Sequence, residues 1–407
     1  LVYGGGELRA NFGATFKNNK IDISFLPYLF DNNSIIKNSN FVVDSSFANQ
    51  ALINKEKFIE LNSVQGIDIQ KNKYYNNYNR KGTAISSFNS SYWVRDNNEF
   101  SKLGKGIDAW GTGGLSGINV TDNVFTNVRK SITAQGTNFD KISGNTFNIP
   151  RGSVVGGIQP KIIEDSISSI GEDTTWAIYM YNTQGFLITE NDLITDTTLN
   201  LNTYTYGLIV RNSSNFGGEV YKNNYTGRFR AGTQMEQNND SLQVGCENYT
   251  DFISFDWAVT SGSLADQGEC IVGDPSAPAG NRFHPGATCT EDEHIFKDAS
   301  VPSFIYNSHD NELPVCTSAS VTVFLCTESF TNVNIACPSK FTGCKKIPCL
   351  KALLKKEKNA KRRRQLQHAL LRLMVKEGKT DLAVTMLENM NTEAAKKMLV
   401  AQYLEQK

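Results

Sequence analysis

Few side chains in this sequence have the types and spacing for catalysis. Glu190 and Asp192 come nearest to a carboxylate pair, which cleaves a glycosidic bond when its carboxyl groups stand about 5–10 Å apart. We interpret these two residues as a solvated strand face. Gly-rich stretches match no phosphate-binding loop, and Ser, His and Asp occur without a nucleophile motif. We therefore predict no catalytic residues from motifs.

Potential metal ligands gather in one acidic stretch. Glu291-Asp-Glu-His294, with His284 and His309 nearby, could hold a divalent ion, but the stretch has no EF-hand pattern. We interpret it as a polar loop and predict no metal and no cofactor.

The aromatic and basic residues indicate which ligands the protein could bind. The basic run Lys361-Arg-Arg-Arg364 could bind phosphate groups or lipid headgroups, but we interpret it as a solvated helix face. We expect no nucleic-acid partner. Aromatic residues could stack on sugar rings, so polysaccharide stays open as a partner, although in a repeat fold such residues more often fill the core. The aromatic residues concerned are Trp93, Trp110, Trp176, Trp257, Tyr74, Tyr75 and Tyr78.

Cysteine usage separates the chain into two parts. The first 245 residues contain none, and an even, clustered set is typical of disulfides formed outside the cytoplasm. Proximity in the chain suggests Cys246–Cys270 and Cys344–Cys349 as pairs. No apolar run is long enough to span a membrane. The eight disulfide candidates are Cys246, Cys270, Cys289, Cys316, Cys326, Cys337, Cys344 and Cys349.

The elements that must position these side chains come from a repeat. An apolar residue precedes an Asn by three positions and another apolar residue follows it by two, in windows rich in β-branched residues rather than in helical spacing. The separation between copies fits one coil of about 22–25 residues, or two coils, or one coil with an inserted loop. The copies are Ile69/Asn72/Tyr74, Val120/Asn123/Phe125, Ile142/Asn145/Phe147, Ile188/Asn191/Leu193 and Val220/Asn223/Tyr225, with a weaker copy at Ile36/Ser39/Phe41.

Such a repeat predicts a mainly β protein, a right-handed parallel β-helix over residues 1–270. Asn tolerates the left-handed backbone conformation, so we expect it to turn the corner between two strands. The amides of Asn72, Asn123, Asn145, Asn191 and Asn223 would then stack as a ladder. Outward positions beside these Asn residues form no acidic column.

The remainder predicts two further domains. Residues 271–349 are rich in turns and cysteine and indicate a disulfide-rich β cap for the end of the solenoid. Residues 350–407 carry apolar residues at helical spacing and indicate basic amphipathic helices. From Lys345 onward there are 16 Lys and Arg against 6 Asp and Glu, whereas the preceding residues have 25 against 35. We expect a longer precursor, with helices continuing past Lys407.

Four stretches carry a family resemblance: ATFKNNKIDISFLPY, AGTQMEQNNDSLQVGCENYTDF, GSLADQGEC and, most specifically, DPSAPAGNRFHPGATC. They resemble the large secreted surface proteins of Bacteroidota. The resemblance implies a right-handed β-helix, export by the type IX secretion system, and a secreted or outer-membrane-exterior location. It implies no catalytic residues.

A strong structural repeat without a catalytic column leads us to predict a non-enzymatic secreted or cell-surface protein with a structural or adhesion role. The alternative is a polysaccharide lyase or glycoside hydrolase acting along a β-helix face. A third hypothesis makes the chain a cargo or component of a surface secretion complex, with other surface proteins as partners.

Overall fold

The structure is a computed structural model that describes most of the β region and part of the helical region. The described residues are 8–10, 13–27, 32–44, 57–77, 82–114, 116–152, 174–197, 204–213, 216–251, 253–270, 278–289, 292–308, 313–326, 337, 347–356, 379–390 and single helical positions between 363 and 400. Two compact units divide the chain. The first comprises Leu1–Thr146, Tyr181–Leu187 and Phe341–Lys407, and the second Phe147–Met180 and Ile188–Lys340.

Strands of the first unit are short and follow one another at near-constant intervals. They are β1 (Arg9–Ala10), β2 (Thr15–Lys17), β3 (Ile21–Phe25), β4 (Ile35–Lys37), β5 (Asn40–Val43), β6 (Lys57–Asn62), β7 (Gln65–Gln70), β8 (Lys73–Asn76), β9 (Thr83–Phe88), β10 (Ser91–Arg95), β11 (Glu99–Ser101), β12 (Lys105–Trp110), β13 (Ile118–Thr121), β14 (Val124–Thr126), β15 (Lys130–Gln135) and β16 (Lys141–Ser143).

Strands lying wholly or mostly in the second unit continue the numbering. They are β17 (Thr146–Asn148), β18 (Thr175–Tyr181), β19 (Leu187–Thr189), β20 (Asp192–Ile194), β21 (Thr205–Arg211), β22 (Glu219–Tyr221), β23 (Asn224–Thr226), β24 (Ala231–Glu236), β25 (Asn238–Asn239), β26 (Gln243–Gly245), β27 (Asn248–Thr250), β28 (Phe255–Val259), β29 (Ser263–Leu264), β30 (Glu293–Lys297), β31 (Phe304–Ser308) and β32 (Val321–Leu325).

Each unit is a right-handed parallel β-helix in which successive coils return to the same three sheets, every third strand in the first unit and, beyond β24 in the second unit, at intervals of four strands past the extra strand β25 and of two strands across β29. In the first unit the orders are β1-β4-β7-β10-β13-β16 (sheet 1), β2-β5-β8-β11-β14 (sheet 2) and β3-β6-β9-β12-β15 (sheet 3). In the second unit they are β19-β22-β26, β17-β20-β23-β27 and β18-β21-β24-β28-β30. These orders confirm the predicted fold class, because only a coiled chain places strands three apart side by side in parallel.

The interior of each coil is filled by the apolar positions of the repeat. In the first unit Phe16, Phe41, Tyr74, Phe100 and Phe125 form one stack, with ring centroids 4.5–4.9 Å apart. This spacing matches the distance between neighbouring strands, so the rings stack in register with the sheet. Their burial removes the largest apolar groups from water.

A row of buried polar side chains runs beside the aromatic stack. Asn72 donates both its backbone N–H (3.0 Å) and its Nδ2 (3.1 Å) to Oδ1 of Asn98. Asn98 repeats the two bonds to Asn123, and Asn123 repeats them to Asn145, at distances of 2.8–3.1 Å. Ser39 starts the row by donating its backbone N–H to Asn72 Oδ1 (2.9 Å). We call this row and its counterpart in the second unit the amide row.

In the second unit the amide row contains a carboxyl group. Asn191 donates its N–H (3.0 Å) and Nδ2 (2.8 Å) to Asn223 Oδ1, and Asn223 donates the same two groups to Glu247 Oε1 (3.0 and 3.1 Å). Glu247 in turn donates its backbone N–H to Asn281 Oδ1 (2.9 Å). Glu247 occupies the place of an amide and accepts the bonds that an amide oxygen would accept.

The expectation that Asn itself takes the left-handed conformation is wrong. Positive φ belongs to the residue before each member of the row, including Lys71 (51°), Asp122 (58°), Glu190 (56°) and Lys222 (61°). The preceding residue turns the chain, which leaves the Asn in an extended conformation with its side chain directed into the row. Its amide replaces the backbone partners that the bend interrupts.

The end of the second unit carries the predicted disulfide-rich β cap. Strands β31 and β32 pair in parallel there, and three disulfides join Cys246 to Cys337, Cys270 to Cys326, and Cys289 to Cys316. The proposed Cys246–Cys270 pair is wrong, because chain proximity does not measure distance between residues on successive coils. The proposed Cys344–Cys349 pair lies outside the described side chains. Disulfides are typical of proteins outside the cytoplasm.

Two helices are described in full, α1 (Ile347–Lys356) and α2 (Thr380–Glu388). Helix α2 buries Ala383 and Leu387, whereas Leu382 on the same helix is exposed. None of the helices in the described part of the chain has the length and hydropathy needed to cross a membrane.

Replacing a member of the amide row should destabilise the protein far more than replacing its neighbour. Asn223→Ala removes the acceptor of two buried donors, so we expect the free energy of unfolding to fall by about 2–5 kcal/mol. The exposed Asn224 is the matched control, and Asn224→Ala should change it by less than about 0.5 kcal/mol. Urea unfolding followed by circular dichroism measures both. Equal effects of the two substitutions would contradict the structural role of the row.

Glu247 should make stability depend on pH. Burial raises its pKa to about 8, so the folded chain keeps a proton that the unfolded chain releases above about pH 4.5. The free energy of unfolding therefore falls as pH rises towards 8, by at most about 1.4 kcal/mol per pH unit from this group. Glu247→Gln should remove that part of the slope, as measured by urea unfolding from pH 5 to 8. Wild-type and variant curves that stay parallel would show that Glu247 does not hold the proton.

Candidate functional site

Sheet 3 of the first unit alternates between a buried and a solvent-facing side. Ile59, Ile85, Ile107 and Ala109 are fully buried, while neighbouring positions on the same strands carry polar or aromatic side chains. The alternation follows from the strand, whose successive side chains point to opposite faces. The outward side of this sheet is therefore a regular grid set by the pairing register.

Two carboxylates occupy one line of that grid. Glu60 on β6 is paired with Ser86 on β9, and Ser86 is paired with Asp108 on β12. Two strand spacings of about 4.8 Å place the Cα atoms of Glu60 and Asp108 roughly 9.6 Å apart. The side chains of Glu60 and Asp108 are 30% and 11% exposed, so both carboxyl groups border the solvent on either side of Ser86.

Exposed aromatic rings occupy the next outward line. Phe88 on β9 is paired with Trp110 on β12, and their exposed fractions are 46% and 38%. Two large aromatic side chains exposed on neighbouring strands form an apolar surface beside the carboxylates. Glu60, Ser86, Asp108, Phe88 and Trp110 are named the acidic-aromatic face.

Lysines fix the two carboxylates in place. Lys57 Nζ contacts Glu60 Oε1 at 2.5 Å, and Lys105 Nζ contacts Asp108 Oδ2 at 2.7 Å, each pair three residues apart on its strand. Trp110 donates its indole N–H to the other oxygen, Oδ1, of Asp108 (3.1 Å). The hydrogen bond from Lys57 lowers the pKa of Glu60 against the opposing effect of partial burial. Glu60 is therefore ionised at neutral pH.

Sequence reasoning missed this face, although a signal was present. The segments Lys57-Phe-Ile-Glu60 and Lys105-Gly-Ile-Asp108 share a basic residue, a buried Ile and an acidic residue at one spacing. We aligned the outward positions beside the Asn residues, which belong to a different part of the coil.

The sequence-selected residues have different environments. Glu190 lies in a turn, and Asp192 begins β20 and accepts a hydrogen bond from Asn224 Nδ2 (2.8 Å), so they do not act as a facing pair. Trp176, Trp257 and Tyr74 are buried, and Trp93 and Tyr75 are half-buried on other strands. Of the sequence-selected aromatic residues, Trp110 alone among those described lies on the acidic-aromatic face. Tyr78 lies outside the described residues.

The acidic stretch that we interpreted as a polar loop lies partly in the interior of the second unit. Asp256 on β28, His284 and His294 bring their ligand atoms within 4.8 Å of one another, and all three are buried. His294 accepts the backbone N–H of Val315 at Nδ1 (3.0 Å) and donates Nε2–H to the carbonyl of His284 (3.0 Å). Burial and the neighbouring His284 lower the pKa of His294 to about 4, so it is neutral. Glu291 and His309 lie outside the described residues.

Comparisons with known proteins give little help with identity. No protein-family model matches the chain, and no curated protein matches it. A solved structure that matches is a cysteine-to-alanine mutant of DFA-IIIase from Arthrobacter chlorophenolicus A6 in complex with DFA-III. It is 11% identical in sequence, the match covers 76% of this chain and 74% of that chain, and the TM-score is 0.42. The comparison transfers no residue roles to this chain.

This finding corrects the functional prediction. The matching structure is that of an enzyme, which contradicts the prediction of a non-enzymatic structural or adhesion protein. The sequence comparison of outward positions covered only those beside the Asn residues, whereas Glu60 and Asp108 lie on sheet 3, which has its own register.

Proposed function

We propose that this chain is a carbohydrate-cleaving enzyme of the glycoside-hydrolase type and that the acidic-aromatic face is its active site. The observation that carries the proposal is the register of Glu60, Ser86 and Asp108 beside the exposed rings of Phe88 and Trp110. Both requirements of glycoside hydrolysis, two carboxyl groups and a surface for a sugar ring, meet there.

The spacing of the carboxylates favours the inverting mechanism. Inverting enzymes keep their carboxyl groups about 6.5–9.5 Å apart so that a water molecule fits between one carboxylate and the sugar, whereas retaining enzymes need about 5–5.5 Å. The Cα atoms of Glu60 and Asp108 lie two strand steps, roughly 9.6 Å, apart, which favours the longer of these carboxyl separations for side chains that leave the sheet on the same face. A hydrolytic water would stand beside the ionised Glu60.

The two carboxylates then have different roles. Lys57 keeps Glu60 ionised, which suits it to take a proton from the attacking water. By elimination, Asp108 passes a proton from the Lys105 ammonium, whose Nζ lies 2.7 Å from Asp108 Oδ2, to the leaving-group oxygen. Lys105 then regains a proton from solvent, which receives the proton that Glu60 took from the attacking water. The Oδ1 atom of Asp108 is oriented by the Trp110 indole N–H and its Oδ2 by Lys105, so the carboxyl group faces the aromatic surface in a fixed position.

Phe88 and Trp110 bind the sugar rings in this proposal. The apolar face of a pyranose or furanose packs on an aromatic ring while its hydroxyl groups remain available for polar contacts. Because the two rings lie on neighbouring strands, a bound chain of sugars would cross the strands of sheet 3.

Export to the cell surface or medium is part of the proposal. Three disulfides support a location outside the cytoplasm, and the similarity to Bacteroidota surface proteins supports type IX export. An extracellular enzyme would meet polysaccharide directly.

Loss of either carboxylate should abolish turnover. The oxidised protein is screened against cellulose, xylan, pectin, alginate, inulin and DFA-III for released reducing ends. On the substrate found, Glu60→Gln and Asp108→Asn should each lower kcat/KM by about 10²–10⁴-fold. Glu99→Gln is the matched control, because Glu99 is also paired with a lysine, Lys73, but lies on β11 in sheet 2. Unsaturated products, full activity in both variants, or no turnover of any substrate would contradict the proposal.

Removing an aromatic ring should weaken binding more than catalysis. Trp110→Ala and Phe88→Ala each remove a stacking surface, so we expect KM to rise by about 5–10-fold with a smaller change in kcat. Phe324→Ala, which removes a ring that is also exposed but lies in the cap, should leave KM unchanged. An unchanged KM in both face variants would exclude stacking on these rings.

A further inference from the structure

A histidine in the interior of the second unit has one ring nitrogen fully engaged and the other without a hydrogen-bond partner. Asp256 holds one side of His284, with Nδ1 of the ring 2.9 Å from Asp256 Oδ1 and the backbone N–H of His284 donating to Asp256 Oδ2 (3.0 Å). His284 and Asp256 have side-chain exposures of 0%. Asp256 therefore fixes the ring orientation and favours a proton on Nδ1.

The other nitrogen, Nε2 of His284, is buried and has no hydrogen-bond partner among the described residues. Its nearest charged neighbour is Asp292 Oδ2, at 3.6 Å, which is too long for a hydrogen bond. Asp292 is itself fixed, because its Oδ1 accepts both the backbone N–H and the hydroxyl of Thr288 (2.7 Å each). Two potential ligand atoms thus face each other from fixed positions, at ion-pair distance but with no hydrogen bond between them among the described contacts.

This arrangement matches the surroundings of a metal-binding histidine. Such a histidine commonly donates its second ring N–H to a carboxylate, as His284 does to Asp256. Two ligands of a tetrahedral zinc ion, each bonded at about 2.0–2.1 Å, stand about 3.4 Å apart. The 3.6 Å between His284 Nε2 and Asp292 Oδ2 is close to that distance.

His294 is not a ligand, although it lies within the same cluster. Its Nδ1 lone pair accepts the Val315 amide and its Nε2 donates to the His284 carbonyl, so neither nitrogen is available. It packs with its ring edge to face against His284, with centroids 5.1 Å apart. Its contribution is to hold the backbone of His284.

We propose that His284 Nε2 and Asp292 Oδ2 bind a zinc ion, with Asp256 as the outer carboxylate that orients His284. Imidazole and carboxylate together favour zinc over magnesium or calcium, which prefer oxygen ligands alone. Water completes the coordination. The Cys289–Cys316 disulfide lies beside this segment, and His294 donates its backbone N–H to the carbonyl of Cys316 (2.8 Å), so the metal would brace the cap. This site is separate from the acidic-aromatic face and does not depend on the proposed hydrolase activity.

Zinc uptake by the oxidised full chain tests the proposal. Protein freed of metal with a chelator is titrated with Zn²⁺ in competition with a chromophoric indicator. We expect one equivalent to bind saturably, and Asp292→Asn and His284→Gln each to weaken binding at least tenfold. Asp256→Asn should weaken it by about 10–100-fold, as expected for an outer carboxylate. Asp298→Asn is the control and should bind zinc like the wild type. Asp298 lies just beyond β30, and among the described contacts its carboxylate accepts hydrogen bonds only from the backbone N–H and the hydroxyl of Ser300.

X-ray absorption at the zinc edge should show one imidazole nitrogen in the coordination shell. If His284→Gln does not fold, Asp292→Asn keeps the Asp256–His284 bond and still reports on the ligand set. Absence of a saturable site, or wild-type affinity in both Asp292→Asn and Asp256→Asn, would overturn the proposal and leave a buried ion pair in place of a metal site.

Discussion

The hydrogen bonds of the amide row are the constraint on which the rest of the structure depends. At each member the backbone bends out of one strand and into the next, and the bend interrupts the sheet in a buried place. A side-chain oxygen from the following coil satisfies the donors that would otherwise be buried without partners, as Asn98 does for Asn72. Because every coil must supply this oxygen at the same place, the row fixes the register of the coils within each unit. The outward grid that brings Glu60 and Asp108 into line is a consequence of that register.

Much of the fold was predictable from the sequence, because a buried repeat leaves a periodic trace. An apolar residue, an Asn and an apolar residue at fixed offsets predict the strands and the corner between them. Among the members of the row that the sequence repeat does not find, Asn98 and Glu247 were missed for clear physical reasons. At Asn98 the turn contains two left-handed residues, Asp96 and Asn97, so the spacing is one residue longer than in the other copies. At Glu247 a carboxyl group takes the place of the amide, and burial keeps this carboxyl group protonated at neutral pH.

The candidate site was not predictable in the same way. Glu60 and Asp108 lie far apart in the sequence, and their alignment depends on the lengths of the intervening loops as well as on the coil period. Solvent-facing positions also carry no hydrophobic signal, so the repeat does not mark them. The cysteine pairing was not predictable for a similar reason, since Cys246 meets Cys337 only after the chain has completed the coils and the cap between them. The turn residue was misassigned because Asn can adopt the left-handed conformation, whereas here its side chain is needed for hydrogen bonding.

Binding of a sugar chain on the acidic-aromatic face is best tested by a crystal structure of the Glu60→Gln variant with the shortest cleavable oligosaccharide. We expect sugar rings over Phe88 and Trp110, with a glycosidic oxygen within hydrogen-bond distance of Asp108. An oligosaccharide bound on another sheet, or in the second unit with this face empty, would contradict it.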